Sequence, residues 1–255
     1  MQKIIQFRFF FIILALFTAT WLLSNIAAVK LVSIFGINLT GGFIIFPLTM
    51  MLSNIIVEVY GYKNSRQAIW SGFILNLSFI FFINLVYIIP ASSYWKLQTE
   101  FHNILVPSTR IIIASLISFL ISDFSSSYLM AKMKIKSRGQ SLLKRILISY
   151  SLSISIDITC FMTLAFAGTM PTSVFLKLMA AAYIKKILCQ AILLPIIWYL
   201  IDELKKREGI EIYDYDTRFN PFLMDNIYEL TSYKEIKSVT KSNAVEKAVL
   251  HFTDK

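Results

Sequence analysis

The chain has 255 residues, of which 56% are hydrophobic and only 16% are charged. A soluble domain carries roughly a quarter charged residues, and one soluble core of this length could not bury so much apolar surface. The formal net charge is +10, but the bases lie in short segments between apolar runs. This placement argues against a nucleic-acid partner and is typical of cytoplasmic loops in a membrane protein.

Six apolar segments are long enough to cross the hydrocarbon core, which takes about 20 residues. They are residues 9–29, 41–59, 67–89, 111–133, 146–167 and 178–200. The first run continues to Val29, which is too long for a cleaved signal peptide. The sequence therefore predicts an all-α membrane protein with six transmembrane helices, embedded in the lipid bilayer as a multi-pass protein.

Basic residues alternate between the two ends of the predicted helices and so give an orientation. The basic-rich positions are Lys3 and Arg8, Lys63 and Arg66, the run from Lys132 to Arg145, and Lys205 to Arg207. All of them fall on one side of a six-span protein, and positive charge marks the cytoplasmic side. We therefore expect both termini in the cytoplasm and the protein in the inner (cytoplasmic) membrane.

Composition divides the chain into three parts. Residues 1–201 form the predicted transmembrane domain, 202–222 a cytoplasmic exit segment with an FNPF motif, and 223–255 a polar cytoplasmic tail. Eleven of the fifteen acidic residues lie from Asp202 onward, together with nine basic residues, so this part has a net charge of −2. The preceding part carries +12, as expected for a membrane protein with basic cytoplasmic loops.

Polar side chains inside the predicted spans are the candidate functional residues, because ionisable groups are costly in lipid. Ser149, Ser153 and Asp157 recur on one face of the fifth helix, and Lys186 lies at a similar depth in the sixth. A structural ion pair between Asp157 and Lys186 and a ligand contact by one or both remain alternatives. For Glu58 the alternative is a salt bridge to nearby Lys63 or Arg66. The predicted substrate-binding residues are Asn54, Glu58, Asn76, Asp123, Asp157, Lys186 and Gln190.

Motifs for catalysis are missing from the sequence. There is no glycine-rich phosphate loop, no HExxH pattern, and no nucleophile with an evident base. Cys160 and Cys189 are isolated within apolar runs, which fits neither a disulfide framework nor a zinc site. We therefore predict no enzyme activity, catalytic residue, metal or cofactor.

A set of short motifs resembles a known family. The chain has Glu58-Val59-Tyr60-Gly61-Tyr62-Lys63 at the end of the second helix, then Arg66 and Trp70. It continues with Asp157, Lys186, Tyr213-Asp214 and Phe219-Asn220-Pro221-Phe222. This set resembles the queuosine precursor transporter family, a branch of the vitamin uptake transporters, over about residues 15–222. The family commonly has Asp and Glu where this chain has Asn54 and Gln190.

The resemblance implies a fold and a substrate. The fold is similar to the substrate-binding components of energy-coupling-factor transporters, and the substrate is a 7-deazaguanine base such as 7-cyano-7-deazaguanine or 7-aminomethyl-7-deazaguanine. A guanine-like edge presents two adjacent donors that one carboxylate can accept. The candidates are Asp157 or Glu58 for that carboxylate, Lys186, Gln190 or Asn76 as donors to the ring carbonyl, and Phe161 or Tyr183 for stacking.

Two other functions remain open. The chain could be a vitamin-binding membrane component that needs a separate ATP-driven partner, or a non-transporting scaffold whose acidic tail recruits partners. A scaffold, however, has no need of polar residues at one depth in four helices. The sequence leaves open whether the protein forms a homodimer, which 7-deazaguanine it carries and what drives transport.

The predicted topology can be tested with reporter fusions. Fusions placed after Lys134 and after Thr172 should report opposite sides of the membrane, because one predicted span separates them and the basic residues orient it. Reports from the same side would contradict the six-span arrangement.

Overall fold

The computed structural model describes residues 7–34, 37–106, 109–169, 171–209, 211–215 and 217–223. Its elements are α1 (Phe10–Ala27), β1 (Leu31–Ile34), β2 (Ile37–Thr40), α2 (Gly42–Ile55), a π-helical turn (Ile56–Tyr60), α3 (Gly61–Ile88), α4 (Gln98–Leu105), α5 (Thr109–Lys136), α6 (Leu142–Phe166) and α7 (Thr172–Glu208). The described part is mostly helical, as predicted. Apart from Leu223, the predicted tail lies outside the described residues.

Five helical stretches in the described ranges are long and apolar enough to cross a membrane: Phe10–Ala27, Gly42–Ile88, Ile113–Lys136, Leu142–Phe166 and Thr172–Glu208. The second and third predicted spans lie in one continuous stretch of 47 residues. At about 1.5 Å per residue this stretch would be roughly 70 Å long, more than twice the hydrocarbon thickness. Large apolar side chains cover the outside of the bundle, as a lipid-facing surface requires.

The helical stretch changes course at Gly61. Its φ of 81° and ψ of 173° lie outside the helical region and suit only glycine. The Tyr62 N–H therefore does not bond the Glu58 carbonyl one turn back, and donates instead to the Asp214 carboxylate at 3.0 and 3.2 Å. The freed Glu58 carbonyl accepts from the Lys134 Nζ at 2.8 Å. The predicted loop around Lys63 is wrong, because the chain turns at one residue and continues as α3.

A two-stranded hairpin connects α1 to α2. Its strands pair antiparallel, with Leu31 opposite Thr40 and Ile34 opposite Ile37. The Ser24 hydroxyl donates to the Gly42 carbonyl at 3.0 Å and ties the two helices together beside it. The sequence analysis predicted only helices, because four-residue strands are too short to show a clear alternation of polar and apolar residues.

An aromatic core holds α1, α2, α3 and α5 together. The Trp21 ring stacks on Phe119, with 4.0 Å between the ring centroids, and Phe46 meets Phe119 edge-on at 6.2 Å. Gly72 of α3 lies directly against Trp21, and a Cβ added there would come within 2.4 Å of the indole ring. Any larger residue at position 72 would displace the tryptophan.

Residues 211–215 and 217–223, together called the strap below, fold back over α3. The Arg66 guanidinium donates to the carbonyls of Arg218 at 3.2 Å and Asn220 at 2.8 Å. The Trp70 indole N–H donates to the Pro221 carbonyl at 2.7 Å. The strap thereby satisfies polar groups of α3, and Asp214 places a negative charge at the N-terminus of that helix, where the helix dipole favours it.

Glu208, at the end of α7, makes a similar contact to α1. Its carboxylate accepts the backbone N–H groups of Arg8 at 3.0 Å and Phe9 at 2.9 Å, and the Tyr60 hydroxyl at 2.9 Å. It caps the N-terminus of α1 from another helix. The helix α7 thus continues beyond the predicted sixth span, and this contact holds its end against α1.

The strap contacts predict two different effects of truncation. A chain ending after Phe222 keeps every strap contact described above and should be as stable as the full chain. A chain ending before Tyr213 removes the strap acceptors of Arg66, Trp70 and the N-terminus of α3, at about 1–3 kcal/mol for each lost buried hydrogen bond. Thermal unfolding in detergent, followed by size-exclusion fluorescence, should show a large loss of stability.

Single substitutions can sharpen this comparison. Asp214→Ala should reproduce part of the loss, since it removes the acceptor of the Tyr62 N–H. The matched control is Arg218→Ala, because the side chain of Arg218 is exposed and only its backbone carbonyl contacts Arg66. Equal stability of the two variants would contradict the role of the strap.

Candidate functional site

Polar and ionised side chains in the bundle lie at three levels. Along α5 the levels are marked by Lys134, Asp123 and Ser115, which are about 16 and 12 Å apart at 1.5 Å per residue. On α6, which packs against α5, Arg145 and Asp157 mark the first two levels. The level of Glu58 and Lys134 is called the Glu58 end below.

At the Glu58 end, a buried carboxylate binds three cations. The Glu58 side chain has no exposed surface, and Arg145 contacts both its oxygens, at 2.6 and 3.1 Å. The Lys205 Nζ lies 2.7 Å from Oε1, and the Lys134 Nζ lies 3.5 Å from the same oxygen. Glu211 of the strap accepts from Lys205 at 3.0 Å. We call these five residues the ionic cluster.

Within the ionic cluster, both carboxylate oxygens of Glu58 are bound by cations. Its cations come from α5, α6 and α7, whereas the alternative considered from the sequence placed them nearby at Lys63 or Arg66. Such a pair is strongly destabilising to break, because an uncompensated buried charge is left behind. Tyr213 of the strap packs its ring against Lys134 at 5.1 Å. Burial and the nearby Glu211 carboxylate raise the pKa of Tyr213 to about 12, so its phenol stays neutral.

At the middle level, Asp157 and Lys186 form an ion pair. The Lys186 Nζ lies 2.6 Å from Asp157 Oδ2, and the two side chains are 19% and 12% exposed. The same ammonium lies 4.2 Å from the centroid of the Phe46 ring. The predicted proximity of these two charges is thus present in the structure, and neither side chain is completely buried.

Asp123 lies near this pair but is bound differently. Its Oδ1 accepts the Ser53 hydroxyl at 2.6 Å, while its Oδ2 has no hydrogen-bond partner among the described residues. The Thr49 hydroxyl and both amide atoms of Gln190 are also buried without a partner there. Asp157 is close enough to Asp123 for the two carboxylates to interact electrostatically.

The third level holds a cavity of about 280 Å³. Asn25, Asn76, Ser115 and Phe161 are among its lining residues, and most of the others are aliphatic. The Asn25 amide donates to Asn76 Oδ1 at 2.7 Å, and the Asn76 amide donates to the Gly72 carbonyl at 2.9 Å. An apolar cavity with a few converging polar groups is the usual form of a small-molecule site.

The aromatic core lies between the cavity and the middle level. On α5, Phe119 is one turn from Ser115 in one direction and one turn from Asp123 in the other. Trp21 and Phe119 are each only 2% exposed. Stacked on each other, they stand between Ser115 of the cavity and Asp123 along α5.

The structure brings some predicted site residues together and separates others. Asp123, Asp157, Lys186 and Gln190 share the middle level, whereas Glu58 and Asn76 lie at opposite ends. Asn54 donates its amide to the Met50 carbonyl of its own helix at 2.9 Å. Within the described ranges, no group of three His, Cys, Asp or Glu side chains is placed to hold a metal ion.

Sequence reasoning missed several residues of these three levels. They are Asn25 and Ser115 of the cavity, Thr49 and Ser53 of the middle level, and Lys134, Arg145 and Lys205 of the ionic cluster. Asn25 could have been found, because an amide within the apolar first span is unusual. The three cations could not, since near a helix end they look like ordinary cytoplasmic charges.

The sequence of the chain is similar to those of known proteins. Residues 40–200 match the model of a family described as "Putative vitamin uptake transporter". A protein of Bacillus subtilis (strain 168) named "Probable queuosine precursor transporter" is 27% identical over 173 residues, which cover 68% of this chain and 76% of that protein. No solved structure matches the chain at a significant level.

The Asp157–Lys186 pair gives a testable distinction between a structural and a binding role. Replacing either residue alone leaves the other charge without its partner and should destabilise the protein by up to about 3–5 kcal/mol. The abundance of the protein should fall as a result. Asp157→Asn combined with Lys186→Met should restore abundance in the membrane, measured by immunoblotting, but not uptake, because we expect the pair to contact the solute.

The matched control is the exposed Asp202–Lys206 pair, 2.6 Å apart, whose neutralisation should change neither quantity. If the Asp157–Lys186 double variant has normal abundance together with normal uptake, the pair has no part in binding.

Proposed function

Because the chain belongs to the vitamin uptake transporter family, we propose that it imports a queuosine precursor across the cytoplasmic membrane. The solute is a 7-deazaguanine base such as 7-cyano-7-deazaguanine or 7-aminomethyl-7-deazaguanine. The name of the similar Bacillus subtilis protein supports this choice of solute. The observation that carries the proposal is the cavity between Asn25, Asn76, Ser115 and Phe161.

The size and polarity of the cavity suit a flat heterocyclic base. Drug-sized ligands occupy pockets of about 300–1,000 Å³, so a cavity of about 280 Å³ fits a smaller molecule. Phe161 offers an aromatic face for stacking. The amides of Asn25 and Asn76 offer donors and acceptors side by side, which complement the alternating donors and acceptors of a guanine-like edge.

Asp157 supplies the carboxylate for that edge in this proposal. It precedes Phe161 by one helical turn on the same face of α6, about 6 Å along the axis. Its partner Lys186 can donate to the ring carbonyl once the base separates the two charges. Glu58 is excluded from this role because three cations already hold it at the far end of the bundle.

The membrane arrangement belongs to the same proposal. We take the stretch Gly42–Ile88 as two spans that meet at Gly61, which makes six spans with both termini in the cytoplasm and a fold similar to the substrate-binding components of energy-coupling-factor transporters. The ionic cluster then lies at the cytoplasmic end and the cavity towards the outside. A base entering from outside would reach the cavity first, as import requires.

Uptake into proteoliposomes that contain only this chain tests the proposal. Labelled 7-cyano-7-deazaguanine should enter, and Asn76→Leu should reduce uptake efficiency about tenfold, since the lost hydrogen bond and the unpaired Asn25 together cost about 1–3 kcal/mol. Binding without uptake would instead indicate a component that needs an ATP-driven partner. The absence of both binding and uptake would contradict the proposal.

Asn84→Leu is the matched control for Asn76→Leu. Asn84 lies two turns further along α3 and bonds the Ile80 carbonyl at 2.8 Å, just as Asn76 bonds the Gly72 carbonyl. It does not line the cavity. The two substitutions therefore remove the same intrahelical hydrogen bond, and only Asn76→Leu should lower uptake.

A further inference from the structure

The carboxylate of Asp123 lies in the interior of the bundle with half of its hydrogen-bonding capacity unused. The residue is 1% exposed, Ser53 donates to Oδ1, and Oδ2 has no partner among the described residues. An ionised carboxylate without a counter-cation is very costly in such a place, whereas a protonated one is not. The geometry therefore favours the protonated acid in this arrangement.

The groups around Asp123 also favour its protonated form. From α6 comes the carboxylate of Asp157, held by Lys186 of α7 at 2.6 Å. α2 contributes the neutral hydroxyls of Ser53 and Thr49. No Lys or Arg side chain in the described ranges lies within ion-pair distance of Asp123, so nothing there compensates its negative charge.

The other helices around Asp123 bring no closer charge. α3 packs against α5 and contributes the Ser65 hydroxyl, one turn further towards the Glu58 end. Glu58 and its three cations lie about three helical turns from Asp123 along α5, too far away for an ion pair with it. On α1, no ionisable side chain lies between Phe9 and Val29. Asp157, paired with Lys186, is therefore the charged group that acts on Asp123.

The space around Asp123 is too closed for a base. Thr49 and Gln190 have no exposed surface, and their unpartnered atoms are sealed as well. A proton, in contrast, needs no cavity. We propose that Asp123 is a proton-binding site through which solute transport is coupled to the proton gradient.

The proton step balances simply. A hydronium ion on the cavity side gives its proton to Asp123 Oδ2, which forms an O–H bond, and a water molecule is left behind. After the bundle rearranges, the same proton leaves Oδ2 for water on the Glu58 side. Ser127, one turn from Asp123 in that direction, lies 2.8 Å from the hydroxyl of Ser65, and both are buried. Such hydroxyls can both donate and accept.

Coupling follows from the cost of burying the charge. The closed arrangement described here is favoured when Asp123 is neutral, and an ionised Asp123 favours arrangements that admit water to it. Proton binding thus shifts the population between the two. The inference rests on the proposed function for the identity of the solute, but the proton site itself does not depend on it.

Proteoliposomes with an acidic exterior and a clamped membrane potential test the coupling. The wild type should accumulate labelled 7-cyano-7-deazaguanine, and Asp123→Asn should lose this accumulation while still exchanging labelled for unlabelled base. Asp123→Glu keeps a protonatable group and should retain part of the accumulation. Asp202→Asn removes a carboxylate at the solvent-exposed end of α7 and should behave as the wild type.

Two outcomes would overturn the proposal. Asp123→Asn could accumulate the base as well as the wild type does, which would leave the carboxylate without a role in coupling. It could also lose exchange together with accumulation at normal abundance, which would make Asp123 a solute contact. If Asp123→Asn does not reach the membrane, the Asp123→Glu variant carries the test, and its failure to accumulate at normal abundance contradicts the proposal.

Infrared difference spectroscopy tests the proton site without any solute. The purified wild type should show the carbonyl band of a buried carboxylic acid that disappears with rising pH, and Asp123→Asn should lack that band while Asp202→Asn keeps it. A band unchanged in Asp123→Asn would overturn the proposal. If the band behaves as expected but no 7-deazaguanine is carried, the proposed function fails and the proton site stands.

Discussion

Glu58 is a carboxylate with no exposed surface in an apolar bundle, and its charge has to be compensated by the protein itself. Arg145, Lys205 and Lys134 provide that compensation from three different helices. Because an uncompensated charge at this depth would be strongly unfavourable, α5, α6 and α7 are held to the turn that carries Glu58. This constraint fixes the relative position of four chain segments at one end of the bundle.

The same turn determines the backbone around it. The π-helical residues Ile56–Tyr60 and the positive φ of Gly61 release the Glu58 carbonyl and the Tyr62 N–H from their usual hydrogen bonds. Lys134 satisfies the first and Asp214 the second. The strap is therefore needed to complete a helix N-terminus, and Glu211 of the same strap joins the ionic cluster. The strap, although distant in sequence, thus contacts both the ionic cluster around Glu58 and the backbone turn at Gly61.

With distance from the ionic cluster, the polar groups of the bundle are less completely paired. The ionic cluster pairs its charges closely, the middle level leaves Asp123, Gln190 and Thr49 with unpartnered atoms, and the next level opens into the cavity. Unsatisfied polar atoms in a membrane protein are expensive and are commonly kept for function. Among the described residues, the unpartnered buried atoms and the cavity thus lie away from the ionic cluster.

Much of the fold follows from local chemistry. Long apolar runs can only be helices in lipid, since every backbone group has to find its partner within the segment. The predicted segment boundaries accordingly agree with the helices to within a few residues at most ends. The break at Gly61 and the β-hairpin were not predicted, because the first depends on contacts with Asp214 and Lys134 and the second is too short to show a pattern.

The sequence by itself determined that the protein is a bundle of membrane helices with costly polar groups, and its motifs indicated the family. Only the tertiary structure decided what each polar group does. Glu58 and Asp123 are both acidic residues inside apolar helices, and nothing local distinguishes them. One meets three cations from distant helices and the other meets a single hydroxyl. Electrostatic roles depend on neighbours in space, and helix packing brings those neighbours together from positions up to 147 residues apart.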